Sequence, residues 1–132
     1  MVEYITGING VGKTRIMCEA CINTAAESKG NVIFIDASDK LSTRLPSNIR
    51  LINVSDFGIE GATALCGFLV GLCASDYDLT DIFVDSTIDM INNNNTNLDD
   101  FFDILTKFSD KTGVNFHFAV WDKYSLELAY QS

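Results

Sequence analysis

Short apolar runs bounded by turn residues alternate along this chain with longer stretches of helical periodicity. Val2-Glu3-Tyr4-Ile5-Thr6 is β-prone and runs into Gly7, which predicts a strand ending at a turn. Helix is expected from about Lys13 to Ser28, with Gly30-Asn31 as a left-handed stop. Asn31-Val32-Ile33-Phe34-Ile35-Asp36 is a continuous apolar run closed by an acid, the pattern of a strand buried on both faces. Ile49 to Val54 predicts a third strand. Ser55 or Asp56 is placed to cap an apolar helix over Ile59 to Ala74, and Ile82-Phe83-Val84-Asp85 is a fourth strand, again ending in an acid.

The second half continues the alternation. Asn92-Asn93-Asn94-Asn95 favours neither periodic structure and predicts an exposed loop, after which Asn97 caps a helix. Its apolar positions Leu98, Phe101, Phe102, Leu105 and Phe108 form one helical stripe. Asp99 and Asp100 sit in its first turn, where the dipole favours them, and Gly113 ends it. Phe116 to Trp121 is a fifth strand. Asp122-Lys123 offers a tight hairpin into Tyr124, Leu126, Leu128 and Tyr130, whose alternation with polar or small residues predicts an antiparallel, half-exposed edge strand. Strands alternating with helices predict an α/β fold, a three-layer sandwich around a mainly parallel sheet. Residues 1–132 fit a single domain.

Composition agrees with a packed core: hydrophobic residues make up 47% of the chain and charged residues 20%. Charge narrows the partners. With 18 acidic against 9 basic residues the net charge is −9, and the arginines are Arg15, Arg44 and Arg50 alone. Nucleic-acid affinity rests on cations that neutralise phosphates, so a nucleic-acid partner is not expected. The most apolar stretch, Ala62 to Ala74, falls short of the ~20 residues a membrane helix needs. The glycine-rich segment at Gly7 leaves no room for a leader before it, so a cytoplasmic protein without a membrane partner is expected. Cys18 and Cys21 share one helical face, as do Cys66 and Cys73, and small apolar core positions explain both pairs.

One segment carries specific chemistry. Gly7-Ile8-Asn9-Gly10-Val11-Gly12-Lys13-Thr14 follows a predicted strand and opens a predicted helix, the context of a phosphate-binding P-loop. Gly7, Gly10 and Gly12 let the backbone approach phosphate closely. The N–H groups of Asn9, Gly10, Val11, Gly12, Lys13, Thr14 and Arg15 then face the anion, backed by the positive end of the helix. Lys13 adds a charge against the β and γ phosphates, and the Thr14 hydroxyl is a hard oxygen suited to Mg²⁺. Asp85, at the carboxyl end of a buried strand, is the expected second Mg²⁺ partner, acting through water. The ligand so read is Mg²⁺-ATP.

The motif, the run Asn31 to Ala37 and the later run Asp81-Ile82-Phe83-Val84-Asp85-Ser86 resemble the RecA/KaiC-type ATPase core over about Val2 to Trp121. The resemblance implies that Asp85 is the Walker B acid. It also implies a sheet in which another strand separates the P-loop strand from its neighbour in sequence. Where that family places a water-polarising Glu, this chain has Ser38 with Asp39 one step on, so Asp36 or Asp39 is the candidate for positioning water. Trp121-Asp122 stands where the family carries a polar sensor. Slow hydrolysis is expected, and a module that binds nucleotide with little turnover and signals to a protein partner or a second copy is the alternative. A ParA/MinD-type ATPase would carry Lys where Ile8 stands, and no guanine-recognition motif follows any strand. His117, among aromatic neighbours, reads as a packed residue, as do Trp121 and Tyr124.

Overall fold

The computed structural model describes residues 1–7, 13–37, 45–85 and 98–121. The asparagine run, the Asn97 cap, the Asp122-Lys123 hairpin and the edge strand Tyr124 to Tyr130 lie outside the described residues. In chain order the elements are β1 (Val2–Gly7), α1 (Lys13–Glu27), β2 (Asn31–Asp36), β3 (Ile49–Asn53), a 3-10 turn (Val54–Phe57), α2 (Gly61–Ser75), β4 (Leu79–Val84), α3 (Leu98–Thr112) and β5 (Asn115–Trp121).

The five strands form one parallel sheet in the order β1-β5-β4-β2-β3. Helix α1 carries the chain from β1 outward to β2, whereas α2 and α3 carry it back through β4 to β5. Parallel crossovers are right-handed, so opposite directions of travel put their helices on opposite faces of the sheet. The core divides accordingly. Met17, Cys18 and Cys21 of α1 pack on Val32, Phe34, Phe83 and Ala119. Leu65 and Leu69 of α2, with Phe101, Phe102 and Leu105 of α3, pack on Ile33, Ile35, Ile82, Val84, Phe116 and Phe118. Strand β2 is buried along its apolar length because it lies inside the sheet with helices on both faces, the environment its sequence matches. Strands β5 and β4 stand between β1 and β2, so β1 does not pair with its neighbour in sequence.

Two local expectations are corrected. Gly30 is not in the left-handed region; that conformation belongs to Gly58, Gly61 and Gly113 among the described residues. Gly30 is needed for a different reason: a Cβ there would lie 2.0 Å from the Asp78 carbonyl oxygen. The neighbouring Asn31 N–H donates to that same oxygen at 2.7 Å. Nor do Ser55 and Asp56 cap α2, which starts after Glu60 without a side-chain cap. Both lie in the 3-10 turn, where Asn53 Oδ1 accepts from the Ser55 N–H at 3.0 Å. That turn takes up Val54 and shortens the expected third strand by one residue. Gly113 closes α3 as expected, with φ at 79°.

Candidate functional site

Parity along the strands decides which residues meet at the carboxyl edge. Phe34 and Phe83 lie side by side in the β2–β4 register and face α1, with ring centroids 6.5 Å apart and nearly parallel. Two residues further along each strand, the same side of the sheet carries Asp36 and Asp85. Both are buried, at 5% and 4% exposure, although each ends an apolar strand. The Asp85 N–H donates to the Ile35 carbonyl at 2.9 Å, which carries the ladder past the end of β4 and fixes where the carboxylate stands.

Helix α1 brings its first turn to this edge. The Thr14 hydroxyl donates to Asp85 Oδ2 at 2.9 Å, joining residues 71 positions apart. The contact unites the helix that follows the glycine segment with the strand that ends in the buried acid. Asp36 is held beside them, its Oδ1 accepting from the Ala37 N–H at 2.8 Å. The Ala37 carbonyl in turn accepts from the Ser55 hydroxyl at 2.9 Å, so the chain leaving β2 is pinned at both groups of Ala37.

The remaining expected site residues are distributed around this contact. Gly7 ends β1 beside Trp121 of β5, and Lys13 opens α1. Asn9, Gly10, Val11, Gly12 and Asp39 lie outside the described residues. Arg15 turns its guanidinium to solvent beside Glu19, at 3.6 Å. An exposed pair of that length contributes little to stability. A phosphate at this helix end would therefore meet the Arg15 backbone N–H and not its side chain.

Below the edge, on the same α1 side, a second polar group was not foreseen. His117 is buried and stacks on Phe83 with centroids 4.0 Å apart, as a packed residue does. Both its ring nitrogens also meet carboxylates: Nδ1 lies 3.0 Å from Glu3 Oε1 and Nε2 lies 2.8 Å from Asp81 Oδ1. Burial pulls the imidazole pKa down, but the hydrogen bonds from Asp81 and Glu3 outweigh it, and the net shift is upward from 6.5. For Asp81, burial pushes upward, yet the bonds from His117 and Thr80 prevail and the carboxyl sits below 3.8. The signal for Asp81 was present in the sequence: it stands two and four residues before Phe83 and Asp85, hence on one side of β4.

The cysteines behave as core. Cys18, Cys21 and Cys73 are buried and Cys66 partly so, all as free thiols. Burial, aided by Cys18 and Asp81, pushes the Cys21 thiol up to about 12. No helix among the described residues is long and apolar enough to cross a membrane. No protein-family model matches this chain, and comparison with curated proteins gives no match.

Proposed function

We propose that this chain binds Mg²⁺-ATP through its glycine segment and hydrolyses it slowly, as a reduced RecA-type P-loop ATPase. The observation that carries the reading is the 2.9 Å hydrogen bond from the Thr14 hydroxyl to Asp85. A motif match alone is a pattern. Here its terminal hydroxyl touches a buried strand-end acid that the motif does not contain, at the carboxyl edge where α/β sheets bind ligands. These two hard oxygens suit Mg²⁺, with Thr14 as a direct ligand and Asp85 acting through water. Bound there, the ion would neutralise charge on the phosphate oxygens. On this reading Lys13 binds the β and γ phosphates, and the first-turn N–H groups of α1 orient them. Asp36 or Asp39 holds the attacking water.

Turnover is proposed to be slow because the charge set is thin. Arg15 faces solvent beside Glu19, and Arg50 is exposed on β3 at the far edge of the sheet. An arginine at the γ-phosphate is worth 10³–10⁵ in rate; neither described arginine is placed to supply one, Arg44 lies outside the described residues, and we expect turnover of ~10⁻⁴ to 10⁻² s⁻¹. A nucleotide-loaded module that signals to a protein partner or second copy remains the alternative, and the same arginine placement favours it.

Thermal melting tests the binding claim. Mg²⁺-ATP at ~100 times its dissociation constant should stabilise the fold by about 2.7 kcal/mol. Lys13→Ala should abolish that shift and leave the unliganded midpoint nearly unchanged. A protein whose melting ignores both ATP and GTP would end the proposal. Single-turnover hydrolysis with Asp36→Asn and Asp39→Asn then separates a slow ATPase from a module without turnover.

A further inference from the structure

The group of Glu3, His117 and Asp81 beneath the proposed site has no part in phosphate chemistry, and its geometry sets a condition on its protons. Glu3 lies on β1, His117 on β5 and Asp81 on β4, so one imidazole bridges three adjacent strands. Ionised carboxylates only accept hydrogen bonds, and a neutral imidazole has one N–H to give. Both short contacts are satisfied together only when both ring nitrogens carry protons.

We propose that Glu3, His117 and Asp81 form a proton-operated clamp across β1, β5 and β4, closed while the imidazole is doubly protonated and released on the Glu3 side when it loses a proton. The direction of release follows from exposure. The Asp81 side chain is 9% exposed and the Glu3 side chain 47%. A neutral ring keeps its single N–H on Asp81, because a deeply buried carboxylate stripped of a partner is the costlier loss. Nδ1 then presents a lone pair to Glu3, which has water to turn to.

The surroundings fit this role. Asp81 also accepts from Thr80 and Asn115, so it stays anchored when the ring changes state. From α1 the group facing Asp81 is the Cys21 thiol, neutral because it titrates only near 12. Past the end of α1, Ser28 and Thr80 share a hydrogen bond at 2.6 Å, tying the helix terminus to the same strand. From β4 itself the Phe83 ring covers one face of the imidazole.

The sign of the pH dependence follows. The His117 pKa lies above 6.5 in the folded state, so its contribution is complete below 6.5 and is lost as pH rises through the raised value. Asp81 lies below 3.8, so its contribution is complete above 3.8 and is lost as pH falls through the lowered value. The clamp holds between these limits: it is lost on the alkaline side as His117 gives up a proton and on the acid side as Asp81 gains one.

His117 is the sole histidine of the chain, so its ring nitrogens can be followed by NMR without ambiguity. Both nitrogens should show the protonated signature at pH 6.5, with a midpoint above it, and the melting temperature should fall through that midpoint. Glu3→Gln alters only the half-exposed partner and should fold. Its amide can donate to the unprotonated Nδ1, so the midpoint should move down and the alkaline loss of melting temperature should shrink. A ring already neutral at pH 6.5, a wild-type melting temperature flat through the ring titration, or a midpoint unmoved by Glu3→Gln would each overturn the clamp. None of these readouts depends on nucleotide.

Discussion

Removing the Thr14 hydroxyl separates two consequences of the same contact. In Thr14→Ala the hydrogen bond to the buried Asp85 carboxylate is lost. A hydrogen bond to a charged group contributes about 1.5–3 kcal/mol. Alanine recovers about 0.5 kcal/mol through its better helix propensity. The unliganded variant should therefore be less stable by about 1–2.5 kcal/mol, read from urea denaturation with an unchanged m-value. The second consequence appears with ligand. If the hydroxyl binds Mg²⁺, its loss should weaken Mg²⁺-ATP by about 100-fold, the equivalent of ~2.7 kcal/mol. At a concentration that stabilises wild type by ~2.7 kcal/mol, the variant should then gain only ~0.4 kcal/mol. Thr14→Ser keeps the hydroxyl and should restore both quantities. A Thr14→Ala protein that loses stability but keeps the full Mg²⁺-ATP shift would refute the ligand role and leave the hydrogen bond a structural one.

Gly30→Ala should destabilise by roughly 2–3 kcal/mol in urea melts, since the new Cβ would meet the Asp78 carbonyl, which is backbone and cannot rotate away; a neutral substitution would show that this turn is not held as described. Cys21 should resist alkylation in the native protein at neutral pH, being fully buried with a thiol near 12, whereas the partly exposed Cys66 should label first. Peptide mapping by mass spectrometry distinguishes them, and early labelling of Cys21 would contradict the packing of α1. Binding to single-stranded DNA at physiological salt should be weak in a filter or anisotropy assay, as a net charge of −9 predicts. Tight, steeply salt-dependent binding would count against the proposed ligand class.

Much of the architecture was legible because long apolar runs and a clean helical stripe leave few alternatives. The run Val32 to Asp36 could bury every side chain only inside a sheet covered on both faces, and it does so. The Phe101, Phe102 and Leu105 stripe locates α3 in the same way. Errors arose where a residue type has two uses. Sequence suggests a left-handed stop at Gly30, but glycine also serves close approach, and that depends on Asp78, a residue distant in sequence. Ser55 suits a helix cap by residue type, yet its hydroxyl reaches back to Ala37. At the candidate site, the Thr14–Asp85 pairing followed from motif and strand end together. The carboxylates around His117 did not, because their meeting depends on the registers of β1 and β4 against β5, which local sequence does not encode.

The position of β5 also sets the order in which the chain can be assembled. Strands β2, β3 and β4 pair with one another within residues 31–84, and nothing among those pairings requires β1. Among the described residues β1 pairs with β5, its Glu3 meeting His117 across 114 positions of sequence. The first strand therefore finds its pairing partner only once the strand that ends at Trp121 has been made. Contacts of such long range are slow to form, because loop closure must come before they yield any stability. During synthesis β1 would leave the ribosome early, yet it would stay without its pairing strand until β5 followed. The edge that joins Thr14 to Asp85 draws instead on α1, β2 and the end of β4, all of which precede β5 in the chain.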